Sequence, residues 1–157
     1  MFRYATCDDL IQLKARYPEY CFPERDPGYS HAWGLKAMGR LVCVDKILKL
    51  QPNRILEIGG GCTAFFDEHF GAKTEYWMID NGDFDPWNRF DELLKKRQNT
   101  HFVRGLLGEF NSQLPDSSFD LAFSISVLEH VSKELRSDVY RDMFRILRPG
   151  GSYCPFY

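Results

Sequence analysis

The sequence predicts an α/β fold: a doubly wound parallel sheet with strand order 3-2-1-4-5, preceded by an N-terminal helical cap. Three observations predict it. From Asn53 onward, short apolar runs alternate with amphipathic ones, the pattern of strands and helices in a parallel sheet. A glycine cluster, Gly59-Gly60-Gly61, closes the first of those runs. The segment before Asn53 differs in kind, with helical periodicity broken by a proline-containing stretch. Right-handed crossovers between parallel strands leave few topologies other than a doubly wound sheet.

Each element has its own signals. The strand candidates are Arg54 to Ile58, Glu75 to Asp80, His101 to Arg104, Phe119 to Ser124, and a last one from Gly151 toward Tyr157. Helices are expected after Gly61, from about Trp87 to Arg97, and from Lys133 to Leu147. In the last of these Leu135, Val139, Met143 and Leu147 recur every four residues, Ser132 is placed to cap the start, and Pro149-Gly150-Gly151 ends the run. In the N-terminal segment Thr6 caps a short helix ending near Arg16, and Tyr17 to Ser30 reads as a loop. Ser30 then caps a longer helix to about Leu50 with Leu41, Val44 and Leu48 as its apolar stripe. Residues 1–50 are read as a cap on one domain whose core is 51–157.

Composition bounds what the domain does. With 157 residues and 44% hydrophobic content the chain buries one real core, and the usual domain size leaves no room for a second. A formal net charge of -2 provides no global positive field for nucleic acid or an anionic membrane; the run Lys95, Lys96, Arg97 fits a solvated helix end. The five cysteines are scattered and lack the paired spacing of zinc sites, so they read as reduced thiols without a metal. Asp8 and Asp9 stand where a signal peptide needs an apolar run, and no stretch approaches the roughly 20 apolar residues of a membrane span. A cytoplasmic protein is the expectation.

The strongest chemical signal is Ile55-Leu56-Glu57-Ile58-Gly59-Gly60-Gly61-Cys62-Thr63-Ala64, a buried strand running into glycines and then a helix. Glycines suit a tight turn whose backbone approaches a ligand without a Cβ in the way. Asp80 follows about 20 residues later at the end of the next strand, where a carboxylate accepts hydrogen bonds from both hydroxyls of a ribose. This spacing also fits a dinucleotide site, since Gly59, Gly61 and Ala64 occupy its small-residue positions. Glu57 argues against that reading. Its carboxylate would repel a pyrophosphate, whereas it suits a ligand that carries an ammonium and a sulfonium.

Downstream, Leu114-Pro115-Asp116-Ser117-Ser118-Phe119-Asp120-Leu121-Ala122-Phe123-Ser124-Ile125-Ser126-Val127-Leu128-Glu129-His130-Val131 is followed by Leu147-Arg148-Pro149-Gly150-Gly151. With the glycine turn, these motifs resemble the class I S-adenosylmethionine-dependent methyltransferases of the small-molecule type, over roughly Asn53 to Gly151. The resemblance implies a Rossmann-like core, S-adenosyl-L-methionine as cofactor and a small-molecule methyl acceptor. It places the methionine portion of the cofactor at Glu57, Gly59, Gly60 and Gly61, the ribose at Asp80, and the amino-acid end beside Ser124.

Two departures accompany it. The third glycine of the family's turn is Thr63 here. The acidic residue that accepts a hydrogen bond from the adenine amino group is reached by two counts: from the third strand it falls on Leu106, and back from Leu114-Pro115 on Glu109. Glu109 is preferred, because Gly108-Glu109 resembles the family's Gly-Asp pair with Leu106 and Leu107 extending the strand.

Other residues have plainer readings. His130 is expected to pack and hydrogen-bond behind the fourth strand, and Cys62 to fill space beside the turn. Tyr17, Tyr20, Phe22, Tyr29 and Trp33 fit either a substrate pocket or packing of the cap. No catalytic base is identified, and methyl transfer, which needs chiefly proximity and in-line geometry, does not demand one. The family's sheet ordinarily carries two further strands, so the resemblance also implies a chain cut short after its fifth strand. Its open edge would then admit a partner chain or a second copy. Two functions follow: an active methyltransferase, or a cofactor-binding module without turnover. An NAD-binding domain is the third.

Overall fold

A computed structural model describes residues 6–21, 35–60, 65–70, 72–83 and 99–156. The chain divides into two compact units, Met1–Gln51 and Pro52–Tyr157.

In the first unit, helix α1 (Cys7–Arg16) opens on a capping box. Thr6 Oγ1 accepts from Asp9 N–H, and the Asp9 carboxylate accepts from Thr6 N–H, satisfying two end donors reciprocally. A single 3-10 turn over Pro18–Tyr20 follows, with Tyr17 and Tyr20 edge-to-face. Helix α2 (Leu35–Leu50) buries Met38, Leu41, Val44 and Ile47, whereas Leu48, expected in the stripe, is exposed. Leu48 lies within about 20° of Leu41 around the helix, but it falls in the last turn of a helix that ends at Leu50, and Ile47 is the buried residue there. Asp45 ties the two helices together by accepting from Tyr17 Oη at 2.7 Å and Arg16 Nη1 at 3.4 Å, and accepts from Lys49 Nζ within α2 at 2.6 Å. The expected cap Ser30 and the aromatics Phe22, Tyr29 and Trp33 lie outside the described residues.

The second unit is a five-stranded parallel sheet: β1 (Arg54–Ile58), β2 (Glu75–Asp80), β3 (Thr100–Arg104), β4 (Phe119–Ile125) and β5 (Leu147–Phe156), in the order 3-2-1-4-5. The first two strands have the bounds expected from the apolar runs. Helices α3 (Phe65–Phe70) and α4 (Arg136–Ile146) and a 3-10 turn over Leu128–His130 complete the described elements; the expected helix from Trp87 to Arg97 lies outside them.

Alternation along β1 assigns the two faces. Leu56 and Ile58 join Ile79, Val103, Phe119 and Ala122 in the cluster that receives Val139, Met143 and Ile146 of α4. Ile55 and Glu57 point the other way, and on that side Phe66 of α3 packs on Phe123 with ring centroids 4.6 Å apart. The sheet is thus covered by α3 on one face and α4 on the other.

The C-terminal third departs from the sequence reading. Helix α4 begins at Arg136, not Lys133, and Ser132 does not cap it. Instead the Ser132 carbonyl accepts from Leu135 N–H in a preceding turn, and its side chain bonds Glu134. Leu135 is exposed, and Leu147 has left the helix to open β5. The buried row is Val139, Asp142, Met143 and Ile146. Residues 149–151, expected to end the helix, lie inside β5 where its register against β4 shifts: Leu147 pairs with Phe119, but Ser152 pairs with Leu121. Gly151 is required there, since a Cβ would stand 2.9 Å from two backbone oxygens, those of Arg148 and Phe119.

Candidate functional site

The carboxyl ends of β1, β2, β3 and β4 converge where the strand order reverses, the place at which open parallel sheets bind ligands. At the centre is Glu57, 6% exposed, whose carboxylate accepts a hydrogen bond from the Tyr76 hydroxyl on the neighbouring strand. Burial and the Glu57 charge together push the Tyr76 phenol well above its usual range, so that hydroxyl stays a donor.

Directly after β1 the chain needs glycine for two separate reasons. Gly59 has φ +67°, the left-handed region that side chains disfavour, and a Cβ there would lie 2.5 Å from Val127 Cγ2. At Gly60 the obstacle is the site itself: a Cβ would stand 2.9 Å from the Glu57 carboxyl carbon and 3.0 Å from the Met78 thioether. The backbone at Gly60 therefore passes directly over the Glu57 carboxylate. Gly61, the third member of the turn, lies outside the described residues with Cys62, Thr63 and Ala64.

Asp80 ends β2 next to this turn. Its Oδ1 accepts from Gly82 N–H at 2.8 Å, closing an Asx turn at a glycine with φ +79°. Its main-chain carbonyl accepts from Gly105 N–H at 3.0 Å, which fastens the end of β3 beside it. The strand stops there. Leu106 and Leu107 do not extend β3, contrary to the count that favoured Glu109: Leu106 turns outward, 47% exposed, while Leu107 drops into the core. The turn nevertheless brings both candidates together, for Glu109 Oε2 accepts from Leu106 N–H at 3.1 Å.

Ser124 lies apart from Glu57. It pairs with Ile58 rather than Glu57, so its side chain is on the α4 face, 1% exposed, with Oγ 2.9 Å from the Tyr153 hydroxyl. His130, expected to pack behind the fourth strand, is instead exposed at the end of a 3-10 turn, and Leu128 at the start of that turn is the residue that packs. Sequence reasoning missed Tyr76 and Val127, which complete the glycine turn, and Asp142. No residue type signals these roles: strand pairing brings Tyr76 to Glu57, the turn after β4 brings Val127 against Gly59, and the return of α4 brings Asp142 to the turn after β3.

Among the described residues no cluster of His, Cys, Asp or Glu could hold a metal ion, and no helix is long and apolar enough to cross a membrane. Cys7, Cys21, Cys43 and Cys154 carry reduced thiols.

Comparison with curated proteins gives no significant match. Solved structures do resemble the chain. Over 98% of this chain and 64% of that one, it superposes with TM-score 0.62 and 15% identity on Burkholderia thailandensis 1,6-didemethyltoxoflavin-N1-methyltransferase, crystallised with 1,6-didemethyltoxoflavin and S-adenosylhomocysteine. Haemonchus contortus phosphoethanolamine N-methyltransferase 1, in complex with phosphoethanolamine and S-adenosylhomocysteine, gives 0.61 at 17% identity over 94% of this chain and 31% of that one. An S-adenosylmethionine-dependent methyltransferase from Archaeoglobus fulgidus gives 0.56 at 15% identity over 76% and 51%. The chain thus spans less than two thirds of the length of each. The methyltransferase domain family matches residues 56–154, from the strand that carries Glu57 into β5. With that match and the 3-2-1-4-5 parallel sheet, the chain belongs to the methyltransferase domain family and has the class I, Rossmann-like architecture.

Proposed function

We propose that the chain binds S-adenosylmethionine at the carboxyl ends of its central strands and transfers a methyl group to a small-molecule acceptor. The observation that carries this reading is the buried Glu57 carboxylate beneath the Gly60 backbone. A negative charge held there attracts a ligand with an ammonium and a sulfonium and repels the pyrophosphate of a dinucleotide. A side chain at Gly60 would fill the approach, so the turn's shape and its charge favour the same ligand.

Gly59, Gly60 and, by its place in the sequence, Gly61 would border the methionine portion. The Asp80 carboxylate, at the end of β2 beside the glycine turn, would accept from ribose hydroxyls. Glu109 would accept from the adenine amino group. The Ser124 hydroxyl is engaged with Tyr153 on the far face, so the strand end's backbone, not that hydroxyl, is assigned to the amino-acid end. The bound cofactor supplies a methyl group on an electron-poor sulfur. The protein's task is to hold the acceptor atom in line with it, which requires no base. The scattered cysteines and modest net charge favour a cytoplasmic setting without nucleic-acid or membrane partners.

Calorimetric titration with S-adenosylhomocysteine and with NAD tests the binding reading. Tight NAD binding without binding of the methionine nucleoside would overturn it. Formation of S-adenosylhomocysteine from S-adenosylmethionine in the presence of candidate small-molecule acceptors then separates an active enzyme from a module that binds without turnover.

A further inference from the structure

We propose that Asp142, on α4, is a positioning residue that sets the purine specificity of the site by holding the turn after β3. The inference rests on the reading of this site as one for S-adenosylmethionine.

Asp142 is fully buried, an unusual place for a carboxylate unless its oxygens are spoken for. Oδ2 accepts from Gly108 N–H at 2.8 Å and from Phe110 N–H at 3.2 Å. Oδ1 accepts from Arg145 Nε at 2.9 Å, with Arg145 Nη2 at 2.8 Å. Arg145 then grips the rest of the same loop, donating to Leu114 O at 2.7 Å and to Asn111 O at 3.3 Å. The pair therefore binds backbone on both sides of Phe110, a residue that itself has φ +54°.

The residue between the two held N–H groups is Glu109. Its carboxylate folds back onto Leu106 N–H, and Leu106 follows Gly105, whose own N–H is bonded to Asp80 O. A connected run of hydrogen bonds thus links the Asp80 end of β2, through the turn that carries both adenine candidates, to a buried charge in α4. The turn cannot shift toward α4 either. Gly108 has φ +101°, and a Cβ there would be 3.0 Å from Val139 N and 3.1 Å from Val139 Cγ2. What Asp142 determines is the position of the Glu109 carboxylate, and so whether it meets an amino group or an oxygen on a bound purine.

The test compares affinities for S-adenosylhomocysteine and for its hypoxanthine counterpart, in which a carbonyl replaces the 6-amino group and would face the Glu109 carboxylate lone pairs. Wild-type protein, Asp142→Asn and Gly108→Ala are each titrated, and each is melted without ligand. The wild type is expected to favour the adenine ligand by about tenfold or more, since the wrong group leaves a carboxylate opposing an oxygen. Both variants are expected to bring that ratio close to unity. Gly108→Ala disturbs the same turn while keeping the Asp142 carboxylate and its Arg145 partner, and carries the test if Asp142→Asn does not fold. Variants that weaken both ligands equally, with the ratio intact, would assign Asp142 to the fold alone and overturn the proposal. A wild type that binds both ligands alike would overturn it too, while leaving the cofactor reading in place. A wild type that binds neither would overturn the cofactor reading itself.

Discussion

Asp80 shows how one carboxylate serves the fold and the proposed site together. Its Oδ1 closes the turn through Gly82, and its main-chain carbonyl holds Gly105. Asp80→Ala removes the first of these and leaves the second. By analogy with lost helix caps, the change should cost about 0.5–2 kcal/mol of stability, read as a lowered unfolding midpoint without ligand. Loss of charge-assisted bonds to ribose should also weaken S-adenosylhomocysteine by about tenfold or more. A destabilised variant with unchanged affinity would leave Asp80 only its turn. At this scale the sequence located what is local: Glu57 near the end of β1, two residues before a glycine, and Asp80 at the end of β2. It was unreadable where one residue's role depends on a distant partner. Ser124 sits at the expected strand end, yet its hydroxyl answers to Tyr153, and Glu57 is held by Tyr76, a residue with no motif of its own.

Among the elements, α4 separates what periodicity sees from what it misses. A repeat of four residues through Leu135, Val139, Met143 and Leu147 names two core residues and two that are not helix core, because a helix turns every 3.6 residues and a strict four-residue row drifts. The true row substitutes Asp142 and Ile146. No hydropathy pattern finds Asp142, whose burial depends on backbone donors brought by the loop after β3. Phe144, by contrast, is 86% exposed despite its apolar side chain. Ile146→Ala should therefore cost about 2–5 kcal/mol, as in other large-to-small core changes. Phe144→Ala should stay within about 0.5 kcal/mol of the wild type. Chemical denaturation of the two variants checks this. Comparable losses would mean that Phe144 is covered and that the helix faces are assigned wrongly.

For the molecule as a whole, a doubly wound parallel sheet followed from alternating runs and the handedness of crossovers, and the sheet has the expected order 3-2-1-4-5. The bounds of β1 and β2 were legible because each is a buried run ended by a glycine or a turn. Those of β5 were not, since Pro149, Gly150 and Gly151 read as a helix stop although they lie inside an irregular strand. This topology places the Glu57 charge, the Gly59-Gly60 turn, the Asp80 turn and the Glu109 turn along one end of the sheet. We propose that this end of the sheet forms a single S-adenosylmethionine site. A crystal structure of the chain with S-adenosylhomocysteine tests it most directly. The amino-acid end should lie over Gly59 and Gly60 near Glu57, the ribose hydroxyls on the Asp80 carboxylate and the purine against the Leu106–Glu109 turn. Ligand bound elsewhere, or a ribose held without Asp80, would contradict it.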